Sequence, residues 1–294
     1  MQVMQQQIDV ATVRVEHPLL EAWRMFRKNT SALAGLAILI LIILLAIIGP
    51  QLYPVNPFKI VFAPLSPPGS GGPPLGTDYL GRDILSGLVH GSRATLVVGV
   101  SAALCTLLIG IIIGALAGFY GGWVENILMR LTEVFQVLPP LLLAMVLVVL
   151  FSPSLYMITI AIGVSTWTGT ARLARGEFMK IRSQDYVMSA RSVGALNRYI
   201  IWRVIFPNTL PPLIVIAALN VGVAILFEAM LSFLGLGDPN IMSWGMMIGL
   251  SRDYIFVSWW AVTFPGIAIF LTVLSISLIG DGLNDAFNPK LRER

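Results

Sequence analysis

The chain has 294 residues, of which 56% are hydrophobic and only 12% charged, where a soluble domain carries about 25% charged residues. With a mean hydropathy of +0.83, that balance excludes a soluble globular enzyme and describes a polytopic membrane protein. The formal net charge of +4 calls for no nucleic acid, because the basic residues sort by membrane side and face anionic lipid headgroups.

A helix needs about 20 apolar residues to cross about 30 Å of hydrocarbon. In chain order, residues 1–30 form a tail carrying Arg14, Arg24, Arg27 and Lys28, and residues 31–49 form the first span. Its apolar run outlasts the 7 to 15 residues of a secretory signal and ends in GPQLYP without a small-residue cleavage site, so it stays in place.

Residues 50–93 form an outer segment. Its PLSPPGSGGPPLG stretch reads as a loop without room for a core, and GTDYLGRDILSGLVHGSR follows, with Asp78, Gly81, Arg82 and Asp83 in close succession. Acidic Asp83 suits the amino end of a short interfacial helix over 83–88.

The second span, Ala94–Tyr120, carries Gly110, Gly114 and Gly118 at four-residue spacing, a seam for a neighbouring helix. Its Cys105 is the chain's single cysteine and reads as apolar packing. The third span is expected over Val134–Phe151, with Pro139 and Pro140 near its start, and the fourth over Leu155–Gly169 after the tight turn at Ser152, Pro153 and Ser154.

A long polar gap, 170–208, holds DYVMSARSVGALNRYIIWRVIFPN and seven basic residues. Ser183 or Asp185 is positioned to cap a short helix, Gly194 to end it in the left-handed conformation, and Asn197 to cap a second helix that Pro207 closes. The unit is too polar to span and too patterned for a linker; it presents Tyr186, Ala190 and Val193 as an apolar side for a partner.

The fifth span, Thr209–Met230, contains Glu228 near its outer end, read either as a carboxylate solvated at the interface or as a polar wall of a translocation pathway. Trp244, Trp259 and Trp260, between spans five and six, fit an interfacial aromatic belt. The sixth span is Trp259–Gly280, the core of five spans covers 94–280, and 281–294 form the second tail.

With six spans both tails share one side. That side holds 15 of the 19 Lys and Arg, the exceptions being Lys59, Arg82, Arg93 and Arg252, so it is expected to be cytoplasmic. No phosphate-binding loop, zinc-protease helix, serine-hydrolase elbow or metal-spaced Cys/His cluster occurs, and His17 and His90 have no nucleophile beside them. The residues thus name no catalytic group, no metal ligand and no bound cofactor. A standalone secondary transporter and a scaffold subunit stay open on these grounds.

Taken together, GTDYLGRDILSGLVHGSR, DYVMSARSVGALNRYIIWRVIFPN, LSFLGLGDPNIMSWGMMI and GDGLNDAFNPKLR resemble, in order, the motifs of inner-membrane permease subunits of ABC importers for dipeptides, oligopeptides and nickel. The resemblance covers nearly everything from Trp23 to Arg292 and is to the C-type subunit, which has the large outer loop after its first span. It implies an all-α, six-span, type I importer permease fold in the cell inner membrane. It also implies a heterodimer with a homologous permease, two ATP-binding subunits that hold ATP and Mg, and an extracytoplasmic substrate-binding protein. Peptides are the implied cargo; nickel, glutathione, opines and oligosaccharides share the machinery.

In that family the cytoplasmic loop before span five carries an EAA motif whose glycine follows the triplet by four positions. Matching it to Gly194 places Met188, Ser189 and Ala190 at the triplet, with Tyr186, Arg191, Ala195 and Pro207 in the same ATPase-coupling segment. The chain departs at the first two triplet positions and has no carboxylate at Met188 for a salt bridge.

Overall fold

A computed structural model describes residues 18–287; the expectations attached to Arg14, His17, Lys290, Arg292 and Arg294 lie outside them. Named elements among the described residues are all helical, with two isolated β-bridges in the outer loop. In chain order the helices are α1 (Pro18–Lys28), α2 (Thr30–Leu52), α3 (Ile84–Tyr120), α4 (Gly122–Val137), α5 (Pro140–Phe151) and α6 (Leu155–Arg182). There follow α7 (Asp185–Ser192), α8 (Asn197–Tyr199), a π-helical turn (Ile200–Ile205), α9 (Phe206–Phe233), α10 (Trp244–Ser251) and α11 (Trp260–Phe287).

Among the described residues, α2, α3, the continuous run Asn197–Phe233 and α11 are long and apolar enough to cross a membrane. The expected third span is not one helix. It breaks at Leu138 and Pro139, and α4 meets α5 at 84°, because consecutive prolines remove two backbone donors and push the preceding residue out of the helical region. Counting that bent pair as one span gives five. The expected fourth span is the apolar first half of α6, a 28-residue helix whose second half carries Arg172, Arg175, Lys180 and Arg182.

The second span also starts earlier than expected. The proposed interfacial helix at 83–88 is the first turn and a half of α3, which runs 37 residues without interruption, about 55 Å at 1.5 Å per residue. The tail before the first span is not featureless either, since α1 precedes α2 and buries Phe26 against Ala32 and Ala286 of α2 and α11.

The glycine seam of α3 packs on α6. A methyl group at Gly110 would lie 2.6 Å from the Thr170 Cβ, one at Gly114 would strike the Ala171 carbonyl, and one at Gly118 would lie 2.6 Å from the Arg175 carbonyl. Only hydrogen atoms fit between the two backbones along this line. Cys105 lies against Gly163 on the same interface, in the packing role read from its surroundings.

Two tryptophans expected in an aromatic belt are instead buried clamps. The Trp244 indole donates to the Leu88 carbonyl at 2.9 Å, and the Trp260 indole donates to the Thr77 carbonyl at 3.1 Å. Both side chains are buried, whereas Trp259 is exposed as expected. Belt statistics miss this because the indole N–H is equally satisfied by water and by a loop carbonyl.

These clamps hold an outer segment more ordered than its Pro/Gly composition suggests. Thr77 is fully buried, its hydroxyl donates to the Ala63 carbonyl at 2.7 Å, and its oxygen accepts from the Ser66 N–H at 2.9 Å. Trp260→Phe is expected to leave the Thr77 carbonyl short of its donor, at about 1–3 kcal/mol, and to raise proteolysis within 53–83. Trp259→Phe should leave cleavage unchanged; equal cleavage in the two variants would refute the clamp.

Candidate functional site

The polar gap folds into a helical elbow. Ser183 ends α6, its hydroxyl bonding the Lys180 carbonyl at 2.9 Å, and α7 starts at Asp185 behind Gln184, with no side-chain cap. Capping by Ser183 or Asp185 is therefore corrected: the acidic Asp185 sits inside the first turn, where it complements the helix dipole.

The other end of α7 is as expected. Gly194 has φ of +80°; its N–H bonds the Arg191 carbonyl at 2.9 Å and the Ala195 N–H bonds the Ala190 carbonyl at 3.1 Å. This is a Schellman termination, with Gly194 taking the left-handed position that side chains resist.

Pro207 does not close a second helix. It lies at the start of α9, and α8, the π turn and α9 form one run from Asn197 into the membrane. A proline there has no N–H for the preceding turn, and the ladder upstream widens, the Phe206 N–H reaching back to the Ile201 carbonyl.

The elbow has a buried side and an open side. Val187 is fully enclosed with Phe119, Phe178, Ile181, Ile200 and Ile205, which belong to α3, α6 and the π turn, while Ala195 packs at the edge. The Arg191 guanidinium lies 5.3 Å from the Phe119 ring centre, a cation–π contact. Ser189 bonds the Asp185 carbonyl at 2.9 Å, and Ala190 is half-buried.

On the open side stand Tyr186, Met188, Val193, Leu196, Tyr199 and Trp202, with Val193 84% and Leu196 77% exposed. Tyr186 and Val193 match the apolar side expected from the sequence. Leu196, Tyr199 and Trp202 were missed, although their spacing of three on a helix would have aligned them. Three of the arginines are not free charges at a membrane face. Arg175 pairs with Glu125 of α4, its Nε donating at 2.7 Å, Arg182 donates to the Gly118 carbonyl at 3.3 Å, and Arg191 covers Phe119.

At the opposite end of the bundle, Asp78, Gly81, Arg82 and Asp83 form one tight structure. An Asp78 carboxylate oxygen accepts from the Leu80 and Arg82 N–H groups, both at 2.8 Å, in a turn where Gly81 has φ of +84°. Burial raises the Asp78 pKa, and the same N–H groups oppose that shift. Asp83 caps α3 through the Leu85 N–H at 2.8 Å and accepts the Tyr53 hydroxyl at 2.6 Å.

That hydrogen bond to Asp83, together with burial and its charge, pushes the Tyr53 pKa up to about 12 from 10.0. A pKa raised on folding adds stability below the unfolded value and loses it as pH climbs through the folded one. The contribution of this pair is thus complete below pH 10 and lost towards pH 12. Asp83→Asn is expected to move one tyrosine to an earlier ionisation in an absorbance titration; an unchanged titration would contradict the pairing.

Glu228 is buried rather than solvated at the interface. It is 2% exposed, and Ser232 donates to one carboxylate oxygen at 2.7 Å. Nearness to the span's end suggests water; the segment from Gly235 to Ser251, folded back over α9, removes it. Gly245 of α10 approaches so closely that an added methyl would stand 2.6 Å from the Ala229 Cα.

Residues 110–293 match the family described as binding-protein-dependent transport system inner membrane component, and residues 17–68 match the N-terminal transmembrane domain of oligopeptide transport permease C. The chain is 42% identical to the Di/tripeptide transport system permease protein DppC of Pseudomonas aeruginosa (strain UCBPP-PA14), over 94% of this chain and 93% of that protein. It is 41% identical to the Dipeptide transport system permease protein DppC of Bacillus subtilis (strain 168), over 92% of this chain and 86% of that one. A solved inward-facing structure of the MetNI methionine ABC transporter aligns with 68% of this chain and 96% of its own at a TM-score of 0.56 and 19% identity, a likeness of fold. With its apolar helices, its ordered motifs and these matches over nearly its whole length, the chain belongs to the binding-protein-dependent inner-membrane permeases of ABC importers.

Proposed function

We propose that the chain forms half of the transmembrane pathway of an ATP-driven importer of short peptides, with the elbow around α7 as the contact through which ATP hydrolysis elsewhere moves it. The observation that carries this reading is the open apolar side of Tyr186, Met188, Val193 and Leu196 on a helix whose other side is locked into the bundle by Val187. Relatives named as dipeptide and di/tripeptide permeases support the cargo.

In this reading both tails and the elbow face the cytoplasm, consistent with the 15 basic residues on that side. A second, homologous permease completes the path, two ATPase subunits hold ATP and Mg and seat α7, and an extracytoplasmic binding protein delivers peptide to the outer loop. The chain itself transports and performs no bond chemistry. ATP binding shifts the inward-open and outward-open populations only by interacting differently with the two. A rigid α7 serves this end: its displacement acts on the cluster joining α3, α6 and the π turn, and the π turn continues directly into α9.

The test is reconstitution of the chain with its second permease, ATPases and binding protein in liposomes. Uptake of a labelled dipeptide is expected to require ATP and every subunit. Dipeptide movement by the chain alone, driven by an ion gradient, would overturn the reading.

A further inference from the structure

Between α2 and α3 a groove of about 680 Å³ opens on the side of the bundle. Ile43 and Ile47 line one wall, Val97, Val100 and Leu104 the other, and Arg93 stands at one end with Gln51 beside it. The wall residues are 40 to 62% exposed, and 93, 97, 100 and 104 follow the spacing of a single helix face.

Arg93 is the one basic residue lining the groove. Among the described residues its guanidinium has no hydrogen bond or ion pair, whereas Arg82 stacks on Phe58 and Arg252 bonds the Phe233 carbonyl at 2.7 Å. From Arg93 to Leu104 the helix advances about 16 Å, close to half of a hydrocarbon core of about 30 Å. On the topology proposed above, the groove therefore has the length of one outer-leaflet acyl chain and a lone cation at headgroup depth.

We infer that this groove is a binding site for an anionic phospholipid of the outer leaflet, whose phosphate meets Arg93 and whose acyl chain lies along Val97, Val100 and Leu104. A guanidinium matches a phosphate with two parallel hydrogen bonds, and an anionic headgroup has no ammonium of its own to compete. A protein helix in the same place would need a carboxylate buried at that depth, which is costly; a lipid brings its charge at the right level without that cost. The bound lipid would fix the first span against the transport core along their outer half.

The experiment is native mass spectrometry of the assembled transporter equilibrated with equal phosphatidylglycerol and phosphatidylcholine of identical chains. Wild type is expected to retain phosphatidylglycerol preferentially. Arg93→Gln should reduce that preference about fivefold, the worth of one basic residue at an anionic surface, and Val100→Trp should reduce retention of both lipids by filling the groove. Lys59→Gln, in the exposed outer loop, should behave as wild type. Equal preference in wild type and Arg93→Gln, or an equal loss in Lys59→Gln, would overturn the site. Loss of the second permease subunit from Val100→Trp would show that the groove is a protein interface and would equally overturn it. Either failure leaves the ATP-dependence of peptide uptake, and so the proposed function, separately testable.

Discussion

Replacing Gly194 by valine is expected to reduce ATP-driven peptide uptake by tenfold or more while the protein still inserts and assembles its bundle. Gly194 has φ of +80°, and an added methyl would meet nothing within 4 Å, so the whole effect is backbone strain and no part is collision. A β-branched residue in the left-handed region costs about 1–3 kcal/mol, comparable to the stability of a Schellman turn holding one short helix. The turn around the Ala195-to-Ala190 hydrogen bond should open, freeing the end of α7 while Val187 stays in its cluster. Hydrolysis by the partner ATPases would then continue without transport, measured as the ratio of phosphate released to peptide imported. Gly194→Asn, which tolerates this conformation better, should retain much of the coupling. Unchanged coupling in the valine variant would refute the role given to the elbow. Ala190→Asp, which places a charge on the half-buried side of α7, tests the same surface by affinity: it should weaken ATPase association.

The second large effect concerns stability. Gly114→Ala is expected to destabilise the protein by about 1–3 kcal/mol, the usual cost of overpacking a close interface, and Gly114→Leu to prevent recovery of folded protein. The obstacle is backbone, since the new methyl would meet the Ala171 carbonyl and stand 2.9 Å from the Arg175 N–H nitrogen. Gly222→Ala is the counterpart within the same class of helix. There the nearest atoms would be Val273 Cγ1 at 3.6 Å and Ile276 Cγ2 at 3.7 Å, ordinary contact distances, so the gain in helix propensity of up to about 1 kcal/mol should remain. Thermal denaturation in detergent is expected to move in opposite directions for the two alanines. Parallel shifts would mean that the α3 seam is not set by backbone proximity.

Much of the elbow was legible because its signals are local. Gly194 satisfies a conformational need that depends on a few neighbouring residues, and the α3 glycines announce a seam through spacing alone. The errors arose where two local signals compete or where the deciding partner is distant in sequence. Pro207 can end a helix or begin one; only the continuity of 197–233 selects the second role. Trp244 and Trp260 have the composition of an interfacial belt, yet each bonds a carbonyl more than 150 residues away. Glu228 looked accessible because nothing near it in sequence covers it.

Sequence by itself determined that this chain crosses a membrane several times and that most of its basic residues gather in its tails and in the gap at 170–208, since these follow from transfer free energies and charge summed along the chain. Tertiary structure alone decided that the third apolar run is bent by 84°, that the outer loop is clamped by tryptophans, that Val187 is the locked side of the elbow and that Arg93, unpaired among the described residues, stands at a groove. Burial and hydrogen-bond partners are properties of pairs of elements, and no single stretch of sequence contains them.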